Sequence, residues 1–550
     1  VNAHYAVTPL DGLRTRCGAS VELVYAEGCP NHRALPGLPV EWLTPTEDAG
    51  EHGFKAEYFN TFDFSGEVVH TSTVQEARFI WFGDMPANVN PAEYSLRLSA
   101  VLTPPADGDV TFALTSAGLS RLLIDGQVVV DNWTAQRMGG SYFGMGSYEE
   151  TADIALVGGQ HYDLVIEYSR QGGSMLGGLQ VGGLPVQVED PIAQAEQLAA
   201  QADVALLFVG TNGEWESEGF DRPNMDLPSR QDELIARVVA ANPRTVVVLN
   251  TGSPVTMPWL EQVPAVLEAW FPGQECGNAI ADVLFGDVDA CGRLPQTFPV
   301  RLEDNPAFIN YPGENGTVHY GEGLFVGYRY YDKKRIDPLF PFGFGLSYTT
   351  FAYRDLRLSA LEYQLGQSID LLVDVTNTGA RPGQEVVQVY VHDVEATLAR
   401  PEKELKAFAK IALDPGETKT VHLTLEPRAL AFYDDARARW VTEAGAFQVL
   451  VGSSAQAIHA VADFTLHVPD DIDAGPSDGP ANLSKASTLR EVLDHAQGRS
   501  ILAAHLGHLV DAPEAEMAMG FSLEMIAQFA PEMVTAETLA EIDAALRALD

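Results

Sequence analysis

The feature that most constrains the fold is a switch in hydrophobic pattern along the chain. In the region 190–345, strand-like runs alternate with helical patterns, in the order Val204–Val209, which is apolar throughout, Gln231–Ala241, Thr245–Leu249, Ala265–Ala269 and Gly277–Phe285. A strand that is apolar throughout is covered on both faces, and strands that alternate with helices form a doubly wound, mainly parallel sheet. Val21–Ala26 reads as a further strand of this sheet.

Outside this region the apolar residues alternate with polar ones. Period-2 runs occur at Ser95–Leu102, Thr111–Thr115, Asp163–Tyr168, Ile369–Val375, Glu385–Val391, Thr420–Leu425 and Phe447–Val451. Short strands of this kind, separated by Asp-Gly and Pro-Gly turns, are typical of antiparallel β-sandwiches. The first group interrupts the α/β region, and the second group follows it as an immunoglobulin-like sandwich.

The chain of 550 residues therefore divides into several units, as expected at roughly 100–200 residues per domain. The predicted parts are the first part of an α/β sandwich domain (1–51), an inserted β-sandwich (52–187), the second part of the α/β domain (188–348), a second β-sandwich (349–468), a linker (469–486) and a helical C-terminal extension (487–550). In the extension, Thr488-x-x-Glu491 is a capping box, and a last helix is predicted from about Thr535 to Leu549. We expect this extension to be a candidate for homo-oligomer assembly.

Composition excludes several classes of partner. There are 34 Lys and Arg against 76 Asp and Glu, a net charge of −42, which disfavours nucleic acid and anionic membrane surfaces and otherwise indicates a solvated surface. No run approaches the ~20 apolar residues of a membrane span, and no signal peptide is recognisable, so we expect a soluble protein of undetermined compartment. The four cysteines form no Cys-x-x-Cys motif, so neither a zinc site nor a disulfide scaffold is indicated. No metal and no cofactor are expected.

The segment Gly210–Pro228 concentrates chemistry after the run Val204–Val209. It carries the acids Glu214, Glu216, Glu218 and Asp221, with Arg222, Trp215 and Phe220. Open α/β sheets place their ligands at the carboxyl ends of strands, where such a loop offers a proton donor and aromatic faces for a sugar ring. An acidic surface loop fits the same composition, and periodicity does not separate the two readings.

Four motifs resemble glycoside hydrolase family 3. They are Glu218-Gly-Phe-Asp-Arg222 with Met225-Asp-Leu-Pro228, Phe271–Asp287 continuing to Gly292–Pro299, Glu322–Asp332, and Pro341–Phe351. Gly53–Phe59 with Arg121–Trp133 resembles a PA14 domain, a known insertion in beta-glucosidases of this family. Residues 349–468 resemble the family's fibronectin type III-like domain.

The resemblance implies a retaining beta-glucosidase that acts on terminal β-D-glucosyl residues. The family pattern sets a Glu before Gly-aromatic-Asp-Arg, which makes Glu218 the expected catalytic acid/base, with Glu214 and Glu216 as competitors. We expect Asp221 and Arg222 to brace the loop by ion pairing.

Three aromatic residues are candidates for substrate binding: Trp215 in the loop, and Tyr142 and Phe143 in the Gly-rich segment Gly139–Ser147. The family's inserted domain caps the aglycone side of the pocket, where exposed rings suit stacking. A packed turn of the sandwich is the competing interpretation for Tyr142 and Phe143.

The family carries its nucleophilic Asp on an N-terminal (β/α)8 barrel, which this sequence does not include. We therefore expect a barrel partner, in cis or as a separate chain, and an uncovered apolar face near residues 210–228. Another exo-β-glycosidase specificity, such as that of a beta-xylosidase, and a non-catalytic carbohydrate-binding protein are the alternatives.

Overall fold

The computed structural model describes residues 3–46, 50–171, 176–186, 190–219, 221–437, 439–469, 483–510, 518–529 and 534–549. The chain divides into two compact units. The first comprises Val1–Ala290, Gln296–Gly323 and Ile336–Pro341. The second comprises Cys291–Pro295, Leu324–Arg335 and Phe342–Asp550. Residues 470–482 of the predicted linker lie outside the described residues.

The elements of the first unit are α1 (Pro9–Cys17), β1 (Leu43–Thr44), β2 (Phe54–Phe59), β3 (His70–Val74), β4 (Arg78–Trp81), β5 (Ser95–Leu102), β6 (Gly108–Ala117), β7 (Leu119–Ile124), β8 (Gln127–Asn132), α2 (Ser141–Gly144), β9 (Glu150–Leu156), β10 (Tyr162–Ser169), β11 (Gly177–Pro185), α3 (Pro191–Gln201), β12 (Ala205–Gly210), α4 (Gln231–Ala241), β13 (Thr245–Asn250), β14 (Ala265–Glu268) and α5 (Cys276–Phe285).

Strands β1–β11 form two antiparallel sheets around one core. One sheet has the order β3-β2-β5-β10-β7-β8, with β1 beside β5, and the other has the order β4-β11-β6-β9. The alternation predicted at Ser95–Leu102 is confirmed, because Leu96, Leu98 and Leu102 are fully buried. Both sheets contribute side chains to the same hydrophobic core, including Phe112 of β6.

Strands β12, β13 and β14 form a parallel sheet in that order, as the apolar runs predict. Helix α4 packs against β12 and β13, and its bounds are those of the predicted helical pattern. It buries a stripe of Leu234, Ile235, Val238 and Val239. This spacing is the apolar face of an amphipathic helix, which explains why the segment forms a helix rather than a strand.

The predicted strand at Val21–Ala26 is wrong. These residues form no strand, and Val21, Val24 and Tyr25 are 48 %, 54 % and 64 % exposed. A strand of this sheet would need ladder hydrogen bonds and burial of its apolar side chains. The segment reaches β12 only further along, where the Asn31 Nδ2 donates to the Gly210 carbonyl at 3.0 Å.

The elements of the second unit are α6 (Tyr328–Lys334), β15 (Phe351–Leu358), β16 (Glu362–Gln364), β17 (Ile369–Asn377), β18 (Gly383–Asp393), β19 (Glu404–Leu413), β20 (Thr418–Leu425), β21 (Phe432–Asp434), β22 (Arg439–Val441), β23 (Gly445–Gly452), β24 (Ile458–His467), α7 (Leu489–Asp494), α8 (Ala496–Val510), α9 (Leu523–Phe529) and α10 (Ala536–Arg547).

The predicted second sandwich is present in this unit. Its sheets are β15-β17-β20 and β16-β24-β23-β18-β19, and they share one core. Helices α7–α10 enclose a separate small core. The capping box predicted at Thr488 is confirmed, since its hydroxyl accepts from the Glu491 amide while the Glu491 side chain accepts from the Thr488 amide.

One glycine sets where β12 ends and the loop toward the candidate site begins. Gly210 has a φ of 149°, and a Cβ at this position would lie 2.1 Å from the Asn250 carbonyl oxygen on the neighbouring strand. The buried amide of Gln231 holds both backbone groups of Gly210, donating to its carbonyl at 2.9 Å and accepting from its N–H at 2.6 Å. Only glycine allows this close approach of two backbones.

We expect Gly210→Ala to lower the free energy of unfolding by about 2 kcal/mol or more, because the new methyl group meets backbone rather than a movable side chain. The matched control is Gly213→Ala in the same loop, where a Cβ meets nothing within 4 Å. Thermal unfolding of both variants checks this. Equal midpoints for the two variants would contradict the role of the close approach.

Candidate functional site

The loop after β12 folds back onto the carboxyl edge of the parallel sheet. Glu216 is the side chain that holds it there, since one carboxylate oxygen accepts from the Gly252 amide at 2.8 Å and the other from the Ser253 hydroxyl at 2.9 Å. Residues 252 and 253 lie two and three positions beyond the end of β13. The loop is therefore tied to the strand next to the one it leaves.

Arg222, further along the same loop, also contacts Glu216 and Ser253. Its guanidinium lies 3.0 Å from Glu216, donates to Ser253 at 3.0 Å, and donates to the Asp226 carbonyl at 3.0 Å. The Arg222 and Glu216 side chains are 16 % and 14 % exposed, so the pair is shielded from most of the solvent. A pair in this setting is held by several hydrogen bonds as well as by charge.

Three further acids of the loop, Asp221, Asp226 and Glu214, also have partners. The Tyr311 hydroxyl donates to Asp221, and that carboxylate raises the pKa of the phenol. The Thr256 hydroxyl donates to Asp226 at 2.8 Å. Glu214 accepts from the Arg33 amide at 2.9 Å. These contacts assign Glu214, Glu216, Asp221 and Asp226 to holding the loop.

Glu218 differs from the other loop acids. Its side chain is exposed, and among the described residues it makes no hydrogen bond or ion pair. It lies between Ser217 and Gly219. The Gly219 amide donates to the Ser217 hydroxyl at 3.2 Å. Its carboxylate is thus presented to solvent from a loop whose neighbouring acids are engaged.

Trp215 lies half-buried at the start of the same loop. Its backbone N–H donates to the Asn212 carbonyl at 3.0 Å, and its ring nitrogen is buried without a partner among the described residues. A buried indole N–H usually has an acceptor. Trp215 therefore carries a buried N–H donor with no acceptor among the described residues.

The Gly-rich segment Gly139–Ser147 orients its two aromatic residues differently. Tyr142 and Phe143 both have left-handed backbone, with φ of 49° and 60°. The Tyr142 ring packs on Gly178 of β11, where a Cβ would lie 2.3 Å from its Cε1, and burial raises the pKa of its hydroxyl. The structure therefore does not bring Tyr142 to the loop as a free stacking ring.

Phe143 is brought to the loop. Its side chain is 58 % exposed, and a Cβ added to Gly219 would lie 2.8 Å from its ring. Phe82, 70 % exposed, lies beside it with a ring-centroid separation of 6.2 Å. The residue after Glu218 is thus covered by an aromatic ring that comes from the inserted sandwich.

Glu268 is a site residue that sequence reasoning missed. It ends β14, accepts from the Trp270 amide at 2.9 Å and lies 3.5 Å from the Thr251 hydroxyl. Burial, with a contribution from the negative charge of Glu216, raises its pKa to about 7. The available signal was an acid at the end of a predicted apolar strand, where parallel sheets gather functional groups.

No group of three or more potential metal ligands is found in the part of the chain that the structure describes. In that same part, no helix is both long and apolar enough to cross a bilayer.

The raised pKa of Glu268 gives a pH dependence with a defined sign. Folded Glu268 keeps its proton up to about pH 7, whereas the unfolded carboxyl loses it near its ordinary value of 4.5, so this group makes stability fall as pH rises between these limits. Glu268→Gln removes that fall. We expect the variant to gain about 1–3 kcal/mol on the parent between pH 4.5 and 7.5.

Thermal unfolding of both proteins at pH 5, 6, 7 and 8 measures this difference. The exposed Glu261→Gln, in the turn before β14, is the control and follows the parent at every pH. A pH-independent offset between Glu268→Gln and the parent would show that the carboxyl ionises normally.

Comparison with known proteins adds the family. Residues 1–348 match the glycosyl hydrolase family 3 C-terminal domain, and residues 385–455 match a fibronectin type III-like domain. A beta-glucosidase of Rhizobium radiobacter is 43 % identical over 481 residues, which are 86 % of this chain and 57 % of the relative. A probable beta-glucosidase I of Aspergillus clavatus is 41 % identical over 469 residues, which are 82 % and 55 %.

Solved structures agree. The crystal structure of a Kluyveromyces marxianus beta-glucosidase superposes with a TM-score of 0.77 at 39 % identity, covering 84 % of this chain and 56 % of the other. A second structure of that enzyme, in complex with glucose, gives 0.77 at 38 %, covering 85 % and 56 %. The chain spans about half the length of the relatives that it matches. From the extent of these matches, the chain belongs to glycosyl hydrolase family 3.

Proposed function

We propose that the chain is the acid/base-bearing part of a retaining beta-glucosidase that hydrolyses terminal non-reducing β-D-glucosyl residues, with Glu218 as the proton donor. The observation that carries the proposal is that Glu218 differs from the other loop acids in its hydrogen bonding. Glu214, Glu216, Asp221 and Asp226 accept hydrogen bonds, whereas Glu218 has no partner among the described residues. An acid that gives a proton to the substrate and later takes one back must be able to reach the reacting oxygen with a hydrogen bond, and an exposed carboxyl without a protein partner can do so.

The nucleophile of this proposal is an aspartate on an N-terminal (β/α)8 barrel, in cis or on a separate chain. A retaining glycosidase needs two carboxyl groups about 5–5.5 Å apart across the scissile bond. The aspartate attacks the anomeric carbon while Glu218 protonates the departing oxygen. Glu218 then takes a proton from the water that releases the sugar.

Exposed apolar side chains beside the loop support a barrel as the partner. Phe271, next to Gly252, is 50 % exposed, and Tyr311, which bonds Asp221, is 53 % exposed. Phe308 and Ile309, just before Tyr311, are 44 % and 91 % exposed. Exposed apolar side chains on both sides of one loop favour an interaction site there.

The inserted sandwich of strands β2–β11 is, in this proposal, a PA14-like domain that supplies the aglycone side of the pocket. Phe143 meets Gly219 next to the proposed acid and is itself exposed, which suits stacking on an aryl or sugar aglycone. Trp215, half-buried in the same loop, is the second candidate for a substrate contact.

The acid role of Glu218 is tested in the enzyme that contains the barrel, whether in cis or supplied as a separate chain. We expect Glu218→Gln to lower kcat/KM for cellobiose by about 10²–10⁴-fold, since the departing sugar oxygen needs a proton. The loss is smaller for 2,4-dinitrophenyl β-D-glucoside, whose leaving group departs as an anion. Added azide restores turnover of that substrate by Glu218→Ala and yields the β-glucosyl azide.

The exposed Glu303→Gln is the control and keeps parent activity. Equal losses on both substrates would sink the acid role. Hydrolysis by the 550-residue chain without any barrel would refute the assignment of the nucleophile. A higher kcat/KM for the β-xyloside than for the β-glucoside would shift the specificity to that of a beta-xylosidase.

For Phe143→Ala we expect KM for glucosides with aryl or sugar aglycones to rise about 2–10-fold, the size of one lost stacking contact. Methyl β-D-glucoside, which has nothing to stack, keeps its KM. Tyr148→Ala, an exposed aromatic of the same sandwich, is the matched control. A similar rise for methyl β-D-glucoside would assign Phe143 to loop packing instead.

A further inference from the structure

A short segment before the inserted sandwich contacts both the sandwich and the loop that follows β12, which we call the candidate loop. We call it the strap (residues 31–38). At its start the Asn31 Nδ2 donates to the Gly210 carbonyl at 3.0 Å, and the Asn31 carbonyl accepts from the Asn212 Nδ2 at 2.9 Å. The strap is thereby fixed to the point where β12 becomes the loop.

Two carboxylates, one from each side, hold the middle of the strap. Glu214 of the loop accepts from the Arg33 amide at 2.9 Å and, more weakly, from the Ala34 amide at 3.5 Å. Glu149, just before β9 of the sandwich, accepts from the Leu35 amide at 2.8 Å. The two carboxylates lie close together, because they accept from the adjacent amides of Ala34 and Leu35. Burial and the negative charge of Glu214 both raise the pKa of Glu149.

The end of the strap is fastened to β11. The Gly183 amide donates to the Pro36 carbonyl at 2.8 Å. A Cβ on Gly182 would lie 2.8 Å from Leu35, and one on Gly183 would lie 2.3 Å from Leu38. Only glycine lets the strap approach the strand this closely.

Strand β11 also carries the anchor of the Gly-rich segment, because Gly178 receives the Tyr142 ring. The next residue, Phe143, meets Gly219 of the loop. These contacts therefore form a closed path. The loop contacts the strap through Glu214, and the strap contacts the sandwich through Glu149 and β11. The sandwich returns to the loop through Tyr142 and Phe143.

We propose that Glu214 and Glu149 are positioning residues that act through the strap to set the inserted sandwich against the candidate loop, so that Phe143 stands over Gly219 beside Glu218. The roles of Glu218 and Phe143 in this statement rest on the proposed function; the coupling itself does not. Neither carboxylate touches substrate in this arrangement.

Hydrogen–deuterium exchange of the 550-residue chain tests the coupling without any substrate. We expect Glu214→Ala to speed exchange about fivefold in residues 31–38, the effect of one lost hydrogen bond of about 1 kcal/mol, and also in residues 139–147, which Glu214 does not contact. Glu149→Ala speeds exchange in both of these segments and in residues 211–219. The exposed Glu76→Ala, in the same sandwich, changes none of them.

Glu149→Gln keeps an acceptor for the Leu35 amide and therefore restores parent exchange, which separates loss of the contact from loss of folding. Faster exchange confined to residues 31–38, with residues 139–147 at the parent rate, would overturn the proposal.

A kinetic readout in the barrel-containing enzyme separates this inference from the proposed function. There we expect Glu149→Ala to raise KM for aryl glucosides as Phe143→Ala does, with kcat for methyl β-D-glucoside unchanged. If exchange in the two segments is coupled but the barrel-containing enzyme is inactive, the inference about the strap holds and the proposed beta-glucosidase function is wrong. If the enzyme is active but exchange in the two segments is not coupled, only the inference about the strap is wrong.

Discussion

The ion pair between Glu216 and Arg222 is the interaction on which the candidate site depends. It holds the loop after β12 against Gly252 and Ser253, which lie beyond the end of β13. An ion pair alone contributes little at a surface, but this one is largely shielded and shares Ser253 as a common partner. The same charges that suggest a solvated loop are thus used to hold Glu218 in place.

Much of the fold is predictable because local pattern and tertiary environment agree. The α4 stripe and the alternation along β5 identify their elements with correct bounds. Val21–Ala26 has an equally apolar pattern yet forms no strand, since a strand also needs a neighbour in register. Periodicity reports which faces of a segment are apolar, and it carries no information on whether another strand lies alongside.

The candidate site, like the fold, could be predicted from the sequence only in part. Charge and position after β12 suffice to single out the loop, and family resemblance ranks Glu218 above Glu214 and Glu216. What distinguishes these acids physically is their partners, and those lie far away in sequence: Gly252 for Glu216 and Arg33 for Glu214. The pKa of Glu268 likewise arises from burial by residues that are distant in sequence. Such properties appear only once the chain is folded.

The strap also bears on how a chain like this tolerates a large interruption. Residues 31–38 lead into the inserted sandwich and β11 leads out of it, and the two run side by side, joined at Pro36 and Gly183. The points of entry and exit are therefore neighbours. A self-contained module can be accommodated at such a junction, because the gap that it leaves in the host is only the distance between two adjacent backbone segments.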